Sequence, residues 1–399
     1  MNRLLLTGGI LLLPSGFRRM DAEVRGGVIS ALSPKLEAGA GDRVIDMGGD
    51  IVAPGFIDMH VHGGGGADFM DGTAEAFRTA CRLHAAHGTT TLYPTTLAAS
   101  GEDMDAFFAA LKEAEAARES AESEAGARIG GVHVEGPWFA PEQAGAQDPR
   151  YLGLPSAGGC EKLLAKSDRI AIVTMAPELE GALESAAMLA GRGVMPAMGH
   201  SAATLDQVKD AIDCGFRHMV HFYSAMSTVR RDKGYRIPGM VEAGYLFDRV
   251  TVEAIADGCH LPLSLLRLIY RIKGRDRMAL VTDAMRGAGM PEGRSVLGSL
   301  KNGQEVLVED GVAKLPNRSG FAGSVCTMDR AVRTAAEAGI PLEDALAMAS
   351  GTPSKILGTE GRRGSIMVGM DADLVRLGRD LQVSMTMAAG HILNSTGDE

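Results

Sequence analysis

A chain of 399 residues that is 45% hydrophobic and 23% charged has the balance of a soluble globular protein, long enough to bury one large α/β core and an accessory one. Its formal net charge of −10 supplies neither a cationic face for nucleic acid nor a polybasic membrane patch, so no nucleic-acid or membrane partner is expected. The five cysteines (81, 160, 214, 259 and 326) are odd in number and scattered, which speaks against a disulfide framework and for a reducing, cytoplasmic setting.

The apolar N-terminal stretch is interrupted by Thr7-Gly8-Gly9 and followed by Pro14 and two arginines, with no small-x-small cleavage site, so it reads as strands rather than as an export signal. No run of apolar residues reaches the length of a membrane span. Residues 4–52 read as short strands at 4–7, 10–13, 22–25, 28–30 and 44–47, punctuated by Gly and Pro. From Ile51 the texture changes to apolar runs alternating with alanine-rich helical segments, the pattern of βα units around a parallel sheet. Strands are expected at 51–58, 89–93, 131–135, 170–175, 194–199, 218–222, 250–256 and 278–282, and helices at 73–87, 104–125, 181–191, 205–214, 263–272, 328–338 and 342–349. The Ala/Glu-rich stretch 113–127 reads as a solvated helix face.

Eight strands is the number that closes a βα barrel, whose catalytic residues come from the C-terminal ends of the strands. Segments 364–375 and 383–387 return to strand texture and would complete the N-terminal β domain from the other end of the chain. The expected architecture is therefore α/β, a (β/α)8 TIM-like barrel over 53–364 with a small β-sandwich domain built from 1–52 plus 365–399.

The strand ends carry the chemistry. His60 and His62, at i and i+2, share a face and precede four glycines that let the backbone turn away. Strand 131–135 closes with His133 and Glu135 on one face, strand 194–199 runs into His200, and strand 278–282 into Asp283. His218 and His221 fall on opposite faces of their strand, so at most one of them points to the barrel centre. Imidazoles and carboxylates without a thiolate suit Zn(II) foremost, or Fe(II), Mn(II) or Co(II), with a coordination position left open for water. His133 stands between an interior hydrogen-bonding residue and a partner of a ligand, while His84, His87, His218 and His391 read as surface or packing residues.

With these stretches in hand, the chain resembles the amidohydrolase superfamily and, within it, is similar to the N-acetylglucosamine-6-phosphate deacetylases over essentially its full length. The motifs that carry the resemblance are Pro-Gly-Phe-Ile-Asp-x-His-x-His-Gly at 54–63, His-Val-Glu-Gly-Pro-Trp at 133–138, Met-Gly-His-Ser at 198–201, His-Phe-Tyr-Ser-Ala-Met at 221–226, Ala-Asp-Gly-Cys-His at 256–260, Val-Thr-Asp-Ala at 281–284 and Gly-x-Asp-Ala-Asp-Leu at 369–374. The resemblance implies that Glu135, His200 and His221 are the principal metal ligands, that His60 and His62 are the second-metal pair found in some members, and that Asp283 is the catalytic acid/base and a ligand. One or two divalent ions per chain follow from it. It further implies substrate contacts at Ala146, Gln147, Ser224, Ala225, Arg236, Asp257, His260, Phe321, Ala322 and Gly323. Arg236 and His260 correspond to residues that reach a neighbouring subunit's site, so a homodimer is implied.

Two departures bear on the substrate. Where the family's lid reads Lys-Gly-Ala-His, this chain has Ala144-Gly145-Ala146-Gln147, losing a cation and an imidazole, and Ser224 stands in place of an Asn. The retained Arg236 suits bidentate phosphate recognition and keeps an N-acetylated amino-sugar phosphate as the expected substrate. The alternatives are an unphosphorylated or epimeric N-acetyl sugar, a cyclic amide or an N-acyl amino acid, and, from another class, a catalytically dead barrel used for assembly.

Overall fold

The computed structural model describes residues 3–120 and 126–396. Eight parallel strands form a closed ring: Phe56–Val61, Thr89–Pro94, Val132–Glu135, Ile170–Met175, Met195–Met198, His218–Met219, Thr251–Ile255 and Met278–Val281. Single bridges join the ring where regular pairing lapses, Thr95 to His133 on one side and Val61 to Ala284 on the other. The second joint is reinforced by the Asp283 N–H on the His60 carbonyl at 2.9 Å and by the His62 and Gly63 N–H groups on the Ala284 carbonyl at 2.8 and 2.9 Å. The molecule is thus an α/β barrel, and the candidate ligands of the first and last strands are tied together by backbone.

Burial on both faces explains the strands' composition. Every residue of Thr89–Pro94 and Met278–Val281 is buried, as a parallel strand covered by helices outside and by side chains inside requires. Ile57, Met59, Tyr93, Ile172, Ala197, Val220, Ile255, Ala279 and Val281 pack together as one cluster, separate from the larger core between strands and helices. Helix Ala74–Ala86 begins at a cap, where the Thr73 hydroxyl accepts from the Ala76 N–H.

Both chain ends build a second sheet. Its strands run in the order His391–Ser395, Val383–Ala388, Leu374–Leu377, Ile51–Pro54, Leu4–Leu13, Gly16–Arg25 and Val28–Ser33, with Arg43–Asp46 pairing on Leu4–Leu13. The strands expected at 4–7 and 10–13 are one strand whose register slips between Leu6 and Gly9. Its apolar face has its own core, including Leu6, Leu11, Val24, Ile29, Met385 and Met387.

The expected strand 51–58 is in fact two strands that belong to different sheets. Ile51–Pro54 pairs with Leu374–Leu377, whereas Phe56–Val61 enters the barrel. Gly55 is the joint, and a Cβ built there would lie 2.3 Å from the Thr90 Cγ2. Thr90 is buried and β-branched, with little room to yield. Gly55→Ala is expected to cost about 1–3 kcal/mol by overpacking, read as a lower urea midpoint at unchanged slope.

Of the expected helices, 104–125 is described as Gly101–Ser120, and its last five residues, 121–125, lie outside the described residues, as does that part of the 113–127 stretch. Helices Ala157–Leu164, Met240–Leu246 and Gly351–Ile356 were not anticipated; the first carries a glycine pair at 158–159 that lowers its propensity. An antiparallel sheet of Gly293–Leu297, Gln304–Glu309 and Val312–Lys314 follows the eighth barrel strand and was also missed, although the apolar run Val306-Leu307-Val308 is flanked by Glu305 and Glu309. The expected strand 218–222 is reduced to His218–Met219.

Candidate active site

Four of the expected ligands stand at or just beyond barrel-strand ends. Glu135 is the last residue of its strand, and His200, His221 and Asp283 each follow theirs by two residues. All three of the latter have left-handed backbones, with φ of 48°, 28° and 48°. Non-glycine residues enter that region rarely and at a cost, and here it bends each side chain back over the barrel mouth. His60 lies within the first strand and His62 just after it.

The Glu135 carboxylate is the hub. Its Oε1 lies 2.9 Å from His221 Nε2, 3.3 Å from His200 Nε2 and 3.5 Å from His60 Nε2, and its Oε2 lies 3.6 Å from His62 Nε2. Asp283 Oδ1 closes the other side, 3.1 Å from His62 Nε2 and 3.8 Å from His60 Nε2. The His200 and His221 Nε2 atoms face one another at 3.2 Å. Three of the four second ring nitrogens are held from outside, His200 Nδ1 by the Gln143 carbonyl at 2.9 Å, His62 Nδ1 by the Thr95 carbonyl at 3.2 Å and His60 Nδ1 by Glu253 at 2.8 Å, whereas His221 Nδ1 is buried without a hydrogen-bond partner. Phe139 stacks on the His200 ring at 4.3 Å and fixes its plane.

These residues fit a divalent cation. His60 Nε2, aimed at Glu135 and Asp283, is buried with no hydrogen-bond partner, a state that is costly unless a ligand takes the lone pair. His60, His62 and Asp283 present ligand atoms to one point, as do His60, Glu135 and His221. Electrostatics agree: burial works against a charged imidazole at His60, yet Glu253, Glu135 and Asp283 prevail and raise it to about 10. Burial likewise opposes ionisation of Glu135 and Asp283, and the surrounding histidines hold both below the usual carboxylate range. The site therefore demands positive charge, supplied by protons until a cation displaces them.

The two uncertain histidines resolve differently from the ligands. His133 is buried, and burial lowers it to about 3, so the ring is neutral. Its Nδ1–H donates to the Met59 carbonyl at 3.2 Å and its Nε2 accepts from the Thr174 hydroxyl at 2.7 Å, while its ring packs 4.5 Å from that of His60. His218, read from the sequence as a packing or surface residue, is buried against Glu253, with Nε2 3.1 Å from Oε1. The alternation that set His218 and His221 on opposite faces does not apply, because the strand ends at Met219 and His221 has left the extended backbone. His84, also read as peripheral, is buried and donates from Nε2 to the Gly63 carbonyl at 2.9 Å, anchoring the turn behind His62.

A cavity of about 360 Å³ opens over the cluster. Glu135, His62, His200, His221 and Asp283 form its floor, and Ala146, Gln147, Ser224, Ala225, His260, Phe321 and Gly323 line its walls. Asp257 stands behind the wall, its Oδ2 2.8 Å from His260 Nδ1. Ala322 is buried in an apolar cluster with Met285, Leu297 and Val306. Arg236 sits on the exposed hairpin Arg230–Asp232/Tyr235–Ile237, outside the lining. Asp257 turns the His260 ring onto the cavity of its own chain.

Gln147 has a second employment. Its Oε1 accepts from the Ala98 N–H at 2.8 Å, which orients the amide so that Nε2 donates to Glu135 Oε2 at 2.8 Å. Only one N–H of that side chain is left for a bound molecule. Glu253, Thr95 and Gln143 were missed altogether. Glu253 had a signal, an acid within the apolar strand run Thr-Val-Glu-Ala-Ile, whereas the two backbone carbonyls had none.

The Amidohydrolase family model matches residues 51–393. The chain is 34% identical over 368 residues to the N-acetylgalactosamine-6-phosphate deacetylase of Escherichia coli O157:H7, covering 92% of each protein. It is 34% identical over 372 residues to the N-acetylglucosamine-6-phosphate deacetylase of Vibrio furnissii, covering 92% of this chain and 88% of that one. Among solved structures, the N-acetylglucosamine-6-phosphate deacetylase of Pasteurella multocida superposes with a TM-score of 0.89 at 27% identity over 98% of this chain and 99% of that chain. A mutant of the Mycobacterium smegmatis enzyme in complex with N-acetyl-D-glucosamine-6-phosphate gives 0.87 at 33% identity, over 99% and 100%.

Proposed function

The chain belongs to the amidohydrolase family and, within it, to the N-acetylglucosamine-6-phosphate deacetylases, and from that premise we propose that its barrel-mouth site hydrolyses the acetamido bond of an N-acetylated amino-sugar 6-phosphate, releasing acetate. The observation that carries this reading is the gathering of four imidazoles about Glu135, with Asp283 beside them, beneath a cavity large enough for a monosaccharide.

In this reading Glu135, His200 and His221, which contact one another through Glu135 Oε1 and the facing Nε2 atoms, hold one divalent ion, and His60, His62 and Asp283, whose ligand atoms converge, hold a second, with Zn(II) favoured over Fe(II), Mn(II) and Co(II) by the imidazole and carboxylate donor set. Such an ion, when bound, supplies a Lewis acid for the amide carbonyl and lowers the pKa of water. Asp283 is ionised, buried and at the mouth, so it receives the proton of the attacking water and returns it to the departing nitrogen. Without that return the nitrogen would leave as an amide anion, which is why a proton-carrying group must sit next to the reacting carbon.

The floor is acidic and imidazole-rich, and no Lys or Arg lines the cavity among the described residues. A phosphate there would meet His260 and would need a cation from elsewhere. We assign that cation to Arg236 of a second copy, which makes the working unit a homodimer. Arg236→Ala is then expected to raise KM by about 10- to 100-fold for a 6-phosphorylated substrate, the equivalent of ~1.5–3 kcal/mol of charge-assisted hydrogen bonding, and to leave the unphosphorylated analogue almost unchanged. An equal effect on both would remove Arg236 from phosphate recognition.

The lack of a cation in the lining favours one second reading, an unphosphorylated N-acetyl sugar. Assay of N-acetylglucosamine, N-acetylgalactosamine and their 6-phosphates separates the two. Preference in kcat/KM for the phosphates is expected, and equal or better use of the free sugars overturns the phosphate assignment. The same assay decides the epimer, since relatives named for each sugar match at the same identity. No described helix is long and apolar enough to cross a membrane, and a phosphorylated sugar is an intracellular metabolite, which together support a cytoplasmic setting. The separate apolar core under the terminal strands supports dividing the chain into 1–52 plus 365–399 and 53–364.

A further inference from the structure

We propose that Glu253 is the positioning residue that sets the two halves of the metal site against one another, an inference that rests on the reading of His60 and His221 as metal ligands. Glu253 lies in the middle of the seventh barrel strand, fully buried. Its Oε2 accepts from two directions, from the Nδ1–H of His60 at 2.8 Å and from the backbone N–H of His221 at 3.0 Å. Its Oε1 takes the Nε2 of His218 at 3.1 Å, and the other nitrogen of that ring lies 2.7 Å from the Thr251 hydroxyl.

The consequences follow from hydrogen-bond inventory. A carboxylate on Nδ1 makes that nitrogen the donor, so the His60 lone pair resides on Nε2, the buried atom with no protein partner that faces Glu135 and Asp283. The same oxygen holds the His221 backbone by its N–H, at a residue whose φ of 28° needs external support. One carboxylate oxygen thus fixes a ring from the first strand and the turn after the sixth. A carboxylate sealed in a barrel interior is expensive, and an apolar residue would fill the position more cheaply, so the anion's value lies in orienting ligands.

The test uses the full chain stripped of metal and titrated with Co(II), whose visible d–d bands report coordination. For Glu253→Gln we expect Co(II) affinity about 10- to 100-fold weaker than wild type, the range for outer-shell partners of metal-bound histidine, with altered bands in protein that keeps its far-UV circular dichroism. Unchanged affinity and bands in the folded variant overturn the role of Glu253 and leave the metal reading standing. A wild-type chain that binds no Co(II) overturns the metal reading first. Should Glu253→Gln fail to fold, nitrogen NMR of histidine-labelled wild-type protein loaded with Zn(II) decides: His60 with its proton on Nδ1 supports the proposal, and a proton on Nε2 with Nδ1 bare overturns it.

Discussion

Asp283→Asn is expected to lower kcat by about 10²- to 10⁴-fold, ~3–5 kcal/mol of barrier, while the ion assigned to Glu135, His200 and His221 stays bound at the wild-type level. The amide keeps the size of the carboxylate and can still face His62, 3.1 Å away, but it has no basic oxygen to receive a proton and no acidic proton to return. The Glu135, His200 and His221 group does not depend on Asp283 for its geometry, being fixed by Gln147, the Gln143 carbonyl and the Glu253 contact to the His221 backbone. Steady-state kinetics with metal analysis on the same preparation make the check. Wild-type turnover in the variant would remove Asp283 from proton transfer, and lost metal with lost activity would recast it as chiefly a ligand.

Much of this arrangement was legible in the residues because it is local. The βα texture and eight apolar runs give the barrel, and the polar residues closing those runs give His60, His62, Glu135, His200, His221 and Asp283, which meet at one mouth. What escaped is what depends on backbone that leaves regular structure. His221 obeys no strand alternation because its φ is positive, so a period-two argument misjudged its relation to His218. The break at Gly55 is set by the proximity of Thr90, a residue distant in the chain's path, and nothing in the apolar run 51–58 marks it except the glycine itself. Gln147 was read as facing a substrate, and its bonds to Glu135 and the Ala98 N–H come from a loop whose course no periodicity encodes. Backbone carbonyls such as those of Thr95 and Gln143 carry no residue-type signature at all.

Glu135→Gln is expected to separate ligand from acid/base in the opposite sense to Asp283→Asn. Four imidazole nitrogens lie within 3.6 Å of the Glu135 oxygens, so its charge is what allows them to crowd together. An amide withdraws that charge, and removing one partner of a buried ionic group typically costs about 3–5 kcal/mol. Its NH2 must also point somewhere: toward Gln147 it confronts another N–H donor across 2.8 Å, and toward His200 and His221 it blocks the oxygen position that a cation would use. Metal affinity should therefore fall by more than the 10- to 100-fold typical of an outer-shell change, and turnover should fall with it and recover in part at high metal concentration. Titration of apo-protein with Zn(II), followed by activity at each point, measures both. Undiminished affinity would displace Glu135 from the centre of the site, since among the described residues no other single carboxylate approaches all four rings.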